Sequence, residues 1–115
     1  MNKPIKLLIT EDINAFTDED LNIIKGYNIL PEFCNNDGEE LLLKIMNESP
    51  DVVIMNLFMT RLDSLGVMRM IKQKKVKSPI IIVTASFNSP ALEREIMTSG
   101  ASYYALKPYN INAIC

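Results

Sequence analysis

The chain of 115 residues is long enough to bury a core as one domain, and 48% of its residues are hydrophobic. Its formal net charge of −2 argues against a nucleic-acid-binding surface, which usually carries a basic patch. The absence of histidine excludes phosphohistidine chemistry, and no apolar run approaches the roughly 20 residues of a membrane span. We therefore expect one cytoplasmic domain, residues 1–115, that contacts neither nucleic acid nor membrane directly.

The first strand and helix are predicted from an apolar run and a helix-start signal. Ile5 to Ile9 is the strand candidate, and it ends at Thr10-Glu11-Asp12. The stretch Thr17 to Asp20 has the form of a capping box, and Gly26 can end the helix. A start capped by Asn14 is the alternative. The residues expected on the buried side of this helix are Phe16, Ile23, Ile24 and Tyr27.

A second strand and helix follow. Ile29 to Cys34 is the strand, and Pro31 within it indicates an edge strand because proline cannot donate a ladder hydrogen bond. Asn36-Asp37-Gly38 opens the helix, which stops at Ser49-Pro50. The residues expected to face inward are Leu41, Leu42, Ile45 and Met46. The two cysteines, Cys34 and Cys115, have neither metal-site spacing nor a disulfide framework.

The third strand is the apolar run Asp51 to Met55, closed by Asn56. Such a run is typical of a strand that is buried on both faces, with its last residue in the crevice where open parallel sheets bind ligands. A loop then leads to a helix that ends near Lys75. The residues expected to face inward in this helix are Val67, Met70 and Ile71.

The last predicted elements complete an alternation of strands and helices. Pro79 to Thr84 is a strand, and Ser89-Pro90 begins a helix that Gly100 ends, with Leu92, Ile96 and Met97 inward. Ser102 to Leu106 is the fifth strand, followed by Lys107-Pro108. Alternation of this kind predicts a parallel sheet with right-handed crossovers and helices on both faces. Its carboxyl edge would gather four strand-end positions: Glu11-Asp12, Asn56, Thr84 and Lys107.

These strand-end residues carry a resemblance to a known family. The chain, from about Lys6 to Pro108, resembles the receiver domain of response regulators in two-component systems, of the CheY-like type. The resemblance rests on the acidic pair, the residue at position 56, Thr84-Ala85, and the stretch 100–108. It implies a flavodoxin-like, doubly wound five-stranded sheet in the order 2-1-3-4-5. The stretch 62–67 more loosely resembles the receiver of the sporulation initiation regulator of Firmicutes.

The resemblance also implies a role for each strand-end residue. An aspartate at the position of Asn56 would accept a phosphoryl group, assisted by Mg²⁺. Thr84 and Lys107 would contact the phosphoryl oxygens. Glu11, Asp12 and the backbone carbonyl of Phe58 would be the metal ligands, since hard divalent cations prefer oxygen. Tyr104, together with Thr84, would report the state of the site to partners, and the Lys107–Pro108 peptide bond would be cis.

Three departures from the family pattern accompany this resemblance. Asn56 has no carboxylate to accept a phosphoryl group, and its neutral amide predicts weak or absent Mg²⁺ binding. Thr60 and Ser64 stand where the family usually has proline and glycine.

The fifth helix is expected to be missing or truncated, because the sequence ends at Cys115. An uncovered sheet face would then favour a homodimer.

Three functions remain open at this stage. The first is a pseudo-receiver that is not phosphorylated at Asn56, is not an enzyme, and acts through protein–protein interaction in a phosphorelay. Its partners would be a sensor histidine kinase, a phosphotransfer protein or another response regulator. The second is a phosphorylatable receiver whose Asn56 was engineered from aspartate, controlling an output such as transcription or sporulation. The third is a flavodoxin-like binder of a small ligand, although the expected glycine-rich phosphate loop is lacking.

Overall fold

The computed structural model describes residues 3–11 and 13–107. The strands are β1 (Ile5–Ile9), β2 (Ile29–Phe33), β3 (Val52–Asn56), β4 (Ile80–Ala85) and β5 (Tyr103–Leu106). The α-helices are α1 (Asp18–Gly26), α2 (Gly38–Glu48), α3 (Ser64–Gln73) and α4 (Pro90–Thr98), and a short 3-10 helix spans Ile13–Ala15. The strands form one parallel sheet in the order β2-β1-β3-β4-β5. The predicted fold class and strand order are therefore confirmed.

The predicted helix starts agree with the observed caps. The Thr17 side chain accepts a hydrogen bond from the Asp20 backbone, and the Asp20 carboxylate accepts one from the Thr17 backbone, so the capping box is formed. Asp37 caps α2, and Ser89 caps α4 with Pro90 as its first residue. Each of these caps satisfies backbone N–H groups that have no partner within the helix. The α1 prediction from Thr17 was thus correct, and the start at Asn14 was wrong.

The core lies mainly between the sheet and helices α2, α3 and α4. Consecutive residues of the central strands are buried on alternate faces of the sheet, and the larger cluster lies on the side of these three helices. Its fully buried members include Leu8, Leu41, Ile45, Val53, Met55, Val67, Val83 and Ile96. A smaller cluster on the other side contains Leu7, Ile9, Ile54 and Ile82, packed against Phe16 and Phe33.

Three of the predicted inward residues are exposed instead. Tyr27 is 55% exposed, Met46 37% and Met97 42%. Tyr27 is the residue after α1, and Met46 and Met97 each follow a fully buried isoleucine near the end of their helix. The helical period identifies the centre of an apolar face, but it does not show how wide a stripe the core covers or where along the helix that stripe ends. The predictions for these three residues were wrong for that reason.

Two predictions fall on residues that the structure does not describe. The missing or truncated fifth helix would concern residues 108–115, and the cis bond involves Pro108. Both lie outside the described residues. Within the described part of the chain, no helix is long and apolar enough to cross a membrane.

Gly38 marks a close approach between the loop after β2 and the loop after β3. A Cβ atom built at Gly38 would stand 1.8 Å from the backbone oxygen of Leu62, whereas one at Gly26 would meet nothing within 4 Å.

We predict that Gly38→Ala lowers the free energy of unfolding by about 1–3 kcal/mol, the usual cost of overpacking. Gly26→Ala, the matched control, should leave it unchanged or slightly raise it. Urea denaturation of both variants measures the difference, and equal effects would contradict the close approach.

Candidate functional site

The register of the sheet brings the predicted site residues to one edge. Asn56, the last residue of β3, lies directly opposite Thr84 of β4. The Thr10 backbone continues the pairing of β1 with β3 through a hydrogen bond from its N–H to the Ile54 oxygen at 3.0 Å. Lys107 likewise extends β5, since its N–H donates to the Ala85 oxygen at 2.7 Å. Side chains from four strand ends therefore converge.

The Asn56 carboxamide lies at the centre of this edge, and both of its polar atoms are paired. Its oxygen accepts hydrogen bonds from the Thr84 hydroxyl at 3.1 Å and from the Lys107 ammonium. Its nitrogen donates to the Thr10 carbonyl at 3.0 Å and to the Asn36 side-chain oxygen at 2.9 Å. A carboxamide has two donor hydrogens and two acceptor lone pairs, so this side chain uses its full capacity. The surroundings of position 56 therefore match an amide in both directions.

Lys107 joins the amide to the acidic end of β1. Its ammonium forms an ion pair with Oε1 of Glu11 while it donates to the Asn56 oxygen. The Glu11 and Lys107 side chains are 20% and 30% exposed, respectively. Oε1 of Glu11 is buried and accepts no hydrogen bond from the described residues, so the lysine charge is what compensates it. This pair makes the described part of the site close to electrically neutral.

The predicted Mg²⁺ ligands are only partly assembled in the described residues. Glu11 points to the site, but the ammonium of Lys107 already neutralises it. The Phe58 carbonyl accepts a hydrogen bond from the Asn36 side-chain nitrogen at 3.4 Å. Asp12 lies outside the described residues, and the described residues hold no group of three or more histidine, cysteine or acidic side chains suited to a metal ion. The described donor set therefore does not by itself fit Mg²⁺.

A cleft of about 210 Å³ opens beside Asn56. The residues that line it are Asn36, Asn56, Leu57, Phe58, Thr84, Ala85, Ser86 and Lys107. The rings of Phe58 and Phe87 stack near it, with centroids 6.1 Å apart, and both side chains remain substantially exposed. Polar groups thus line the floor of the cleft, and two phenylalanine rings lie side by side in the loops after β3 and β4.

Tyr104 of β5 contacts the backbone of Phe87. It is half-buried, and its hydroxyl donates a hydrogen bond to the Phe87 carbonyl at 3.5 Å. Burial raises the pKa of the Tyr104 hydroxyl, and the nearby Glu93 carboxylate adds to the rise. The hydroxyl therefore stays protonated and able to donate at neutral pH. The residue predicted to report the state of the site is thus connected to the loop after β4.

The two departures in the loop after β3 each have a hydrogen-bonding role. The Thr60 backbone N–H and its hydroxyl both donate to the Asn36 carbonyl at 3.0 Å. Proline has no N–H, so it could not make the first of these bonds. Ser64 is buried, and its hydroxyl donates to the Leu57 carbonyl at 3.0 Å. These bonds stabilise a loop conformation that depends on the residues found here.

Asn36 is the site residue that the sequence analysis missed. The sequence assigned it only to the start of α2, yet its side chain contacts both Asn56 and the Phe58 carbonyl. The residues lie 20 and 22 positions apart, and no periodicity predicts that one loop folds over another. Its signal in the sequence is limited to being an amide in a polar stretch.

Comparisons with known proteins give the family. The Bacillus subtilis alkaline phosphatase synthesis transcriptional regulatory protein PhoP is 30% identical over 113 residues, which cover 96% of this chain and 44% of PhoP. The probable C4-dicarboxylate response regulator DctR of the same species is 27% identical over 95% of this chain and 48% of its own length. The chain thus spans less than half the length of these relatives.

Solved structures agree on the fold. A Francisella response regulator receiver domain superposes with a TM-score of 0.79 at 21% identity, covering 96% of this chain and 89% of that domain. A Pseudomonas aeruginosa histidine kinase receiver domain, solved with a magnesium ion in its active-site cleft, gives 0.75 at 18%, covering 96% and 91%. The sequence model of the response regulator receiver domain family matches residues 7–115 of this chain. This chain belongs to the response regulator receiver domain family.

Proposed function

We propose that this chain is a receiver module of a two-component or phosphorelay system that is not phosphorylated at Asn56 and acts by binding other proteins. Receiver domains are signalling modules, and the family membership supports that part of the proposal. The observation that carries the remainder is the Asn56 amide. A neutral amide is a poor nucleophile, because its nitrogen lone pair is delocalised. All of its hydrogen-bonding capacity is also already used.

The positions of Thr84 and Lys107 support a phosphoryl site at this edge of the sheet. Thr84 and Lys107 both donate to the same oxygen of Asn56, from one side of the amide. Donors aimed at one point are the arrangement that stabilises an oxyanion. This geometry is the specific observation that supports the alternative, a phosphorylatable receiver whose Asn56 was engineered from aspartate. Membership of the receiver family favours both receiver hypotheses over the third hypothesis, a flavodoxin-like binder of a small ligand.

Partners are proposed by class. Receiver domains interact with histidine kinases, phosphotransfer proteins or other regulators, and we assign this chain a partner of one of these kinds. PhoP is named as a transcriptional regulator, and an output of that kind is a proposal for this chain. The homodimer, the cytoplasmic location and the likeness to the sporulation regulator stay predictions.

The proposal is tested by phosphorylation of two proteins. The parent chain and Asn56→Asp are incubated with Mg²⁺ and acetyl phosphate, and each is weighed by intact mass spectrometry. We expect no phosphoryl group on the parent, because it offers no carboxylate at position 56, and a gain on the variant. Asn22→Asp, which adds an aspartate on the exposed surface of α1, is the matched control and should gain nothing. A phosphoryl group on the parent would overturn the proposal.

A second test concerns the metal. Receiver domains generally bind Mg²⁺ in the active site, and we propose that Lys107 opposes this here by neutralising Glu11. Removing a positive charge next to the metal position should strengthen binding. We therefore predict that Lys107→Met binds Mg²⁺ at least about tenfold more tightly than the parent, as measured by calorimetric titration. Lys77→Met removes the same charge from an exposed position and is the control. Equal affinities in both variants would contradict the role of Lys107.

A further inference from the structure

The loop between β2 and α2 folds over the rim of the site and is held there by main-chain hydrogen bonds. The Thr60 N–H donates to the Asn36 carbonyl, and the Gly38 N–H donates to the Thr60 carbonyl, each at 3.0 Å. These bonds form an isolated parallel bridge between Asp37 and Thr60. The Arg61 guanidinium also pairs with the Asp37 carboxylate at 3.1 Å. The backbone of Asn36 is therefore fixed beside the site.

The Asn36 side chain then connects the amide to the loop after β3. Its oxygen accepts from the Asn56 nitrogen at 2.9 Å, and its nitrogen donates to the Phe58 carbonyl at 3.4 Å. The hydrogen bonds form a chain with one donor direction: Lys107 donates to Asn56, Asn56 donates to Asn36, and Asn36 donates to the Phe58 carbonyl. Each amide accepts on one side and donates on the other, as only a group with both capacities can do.

A carboxylate at position 56 would break this order. It has two acceptor oxygens and no donor when ionised, so one oxygen would face the Thr10 carbonyl and the Asn36 oxygen. Rotating the Asn36 amide by half a turn would supply a donor to the carboxylate. The same rotation would turn the Asn36 oxygen towards the Phe58 carbonyl. The Thr10 carbonyl belongs to the backbone and cannot make a matching change.

We propose that Asn36 is a positioning residue that makes position 56 selective for an amide over a carboxylate. It does so by accepting from the Asn56 nitrogen while it holds the Phe58 carbonyl. The inference rests on the proposed function, since it treats position 56 as the acceptor position. An aspartate at position 56 would therefore supply the missing carboxylate, but the hydrogen-bonding groups around it would still match an amide.

A double-mutant cycle tests this selectivity without any phosphodonor. The four proteins are the parent, Asn36→Ala, Asn56→Asp and the double variant, unfolded in urea. We expect Asn36→Ala to raise the unfolding equilibrium constant roughly fivefold in the parent, where it removes hydrogen bonds, and by less than about twofold in the Asn56→Asp background. Asn35→Ala is the matched control, because the Asn35 side chain donates to the Glu40 carboxylate, away from position 56, and should act equally in both backgrounds.

A second readout separates positioning from simple stability. We expect the double variant to bind Mg²⁺ at least about threefold more tightly than Asn56→Asp alone, because the Phe58 carbonyl is then free to bind the cation. Calorimetric titration measures both affinities. The proposal is overturned if Asn36→Ala has the same effect on stability in both backgrounds, or if the two Mg²⁺ affinities are equal. Phosphorylation of the parent would instead overturn the proposed function and leave the cycle readable.

Discussion

The pairing of the Asn56 amide with donors on one side and acceptors on the other is the constraint on which the rest of the site depends. Thr84 and Lys107 supply donors to its oxygen, and the Thr10 carbonyl accepts from its nitrogen. The Thr10 carbonyl belongs to the backbone and cannot exchange its acceptor for a donor. Asn56 is half-buried, and a polar group shielded from water is costly when unpaired, so the surroundings favour a side chain with both capacities. Asparagine at this position is therefore an integral part of the hydrogen-bonding pattern.

The two loops beside the Asn56 amide are also joined to each other. The loop after β2 contacts the loop after β3 through Asn36 and Thr60, and Gly38 allows their backbones to approach. A proline in place of Thr60 would remove one of these hydrogen bonds. A side chain at Gly38 would separate the loops. Asn36, Gly38 and Thr60 thus support one another across two loops, which reading the sequence position by position does not reveal.

The sequence predicted the fold and the convergence of the strand ends well, because both follow from local rules. Short apolar runs alternating with capped helices require a parallel sheet, and the carboxyl ends of its strands meet at one edge. Asn36 was missed because its contacts depend on how two loops fold in space. Met46 and Met97 were wrongly assigned to the inner face because the helical period does not show how wide the buried stripe is, although Ile45 and Ile96 beside them are fully buried. Local sequence patterns therefore predict the helices and strands, whereas the contacts between loops and the limits of the buried face depend on long-range packing.

The charges around Asn56 bear on what could shift this chain from one conformation to another. A phosphoryl group would add negative charge beside Lys107 and so favour one state over another, but an unmodified Asn56 supplies no such difference. Glu11 and Lys107 already neutralise each other. Under the proposed function, the free energy that changes the state would come from a partner that binds the two states unequally. The exposed Phe58–Phe87 stack, with Tyr104 hydrogen-bonded to the Phe87 carbonyl, lies next to the cleft and connects the loops after β3 and β4.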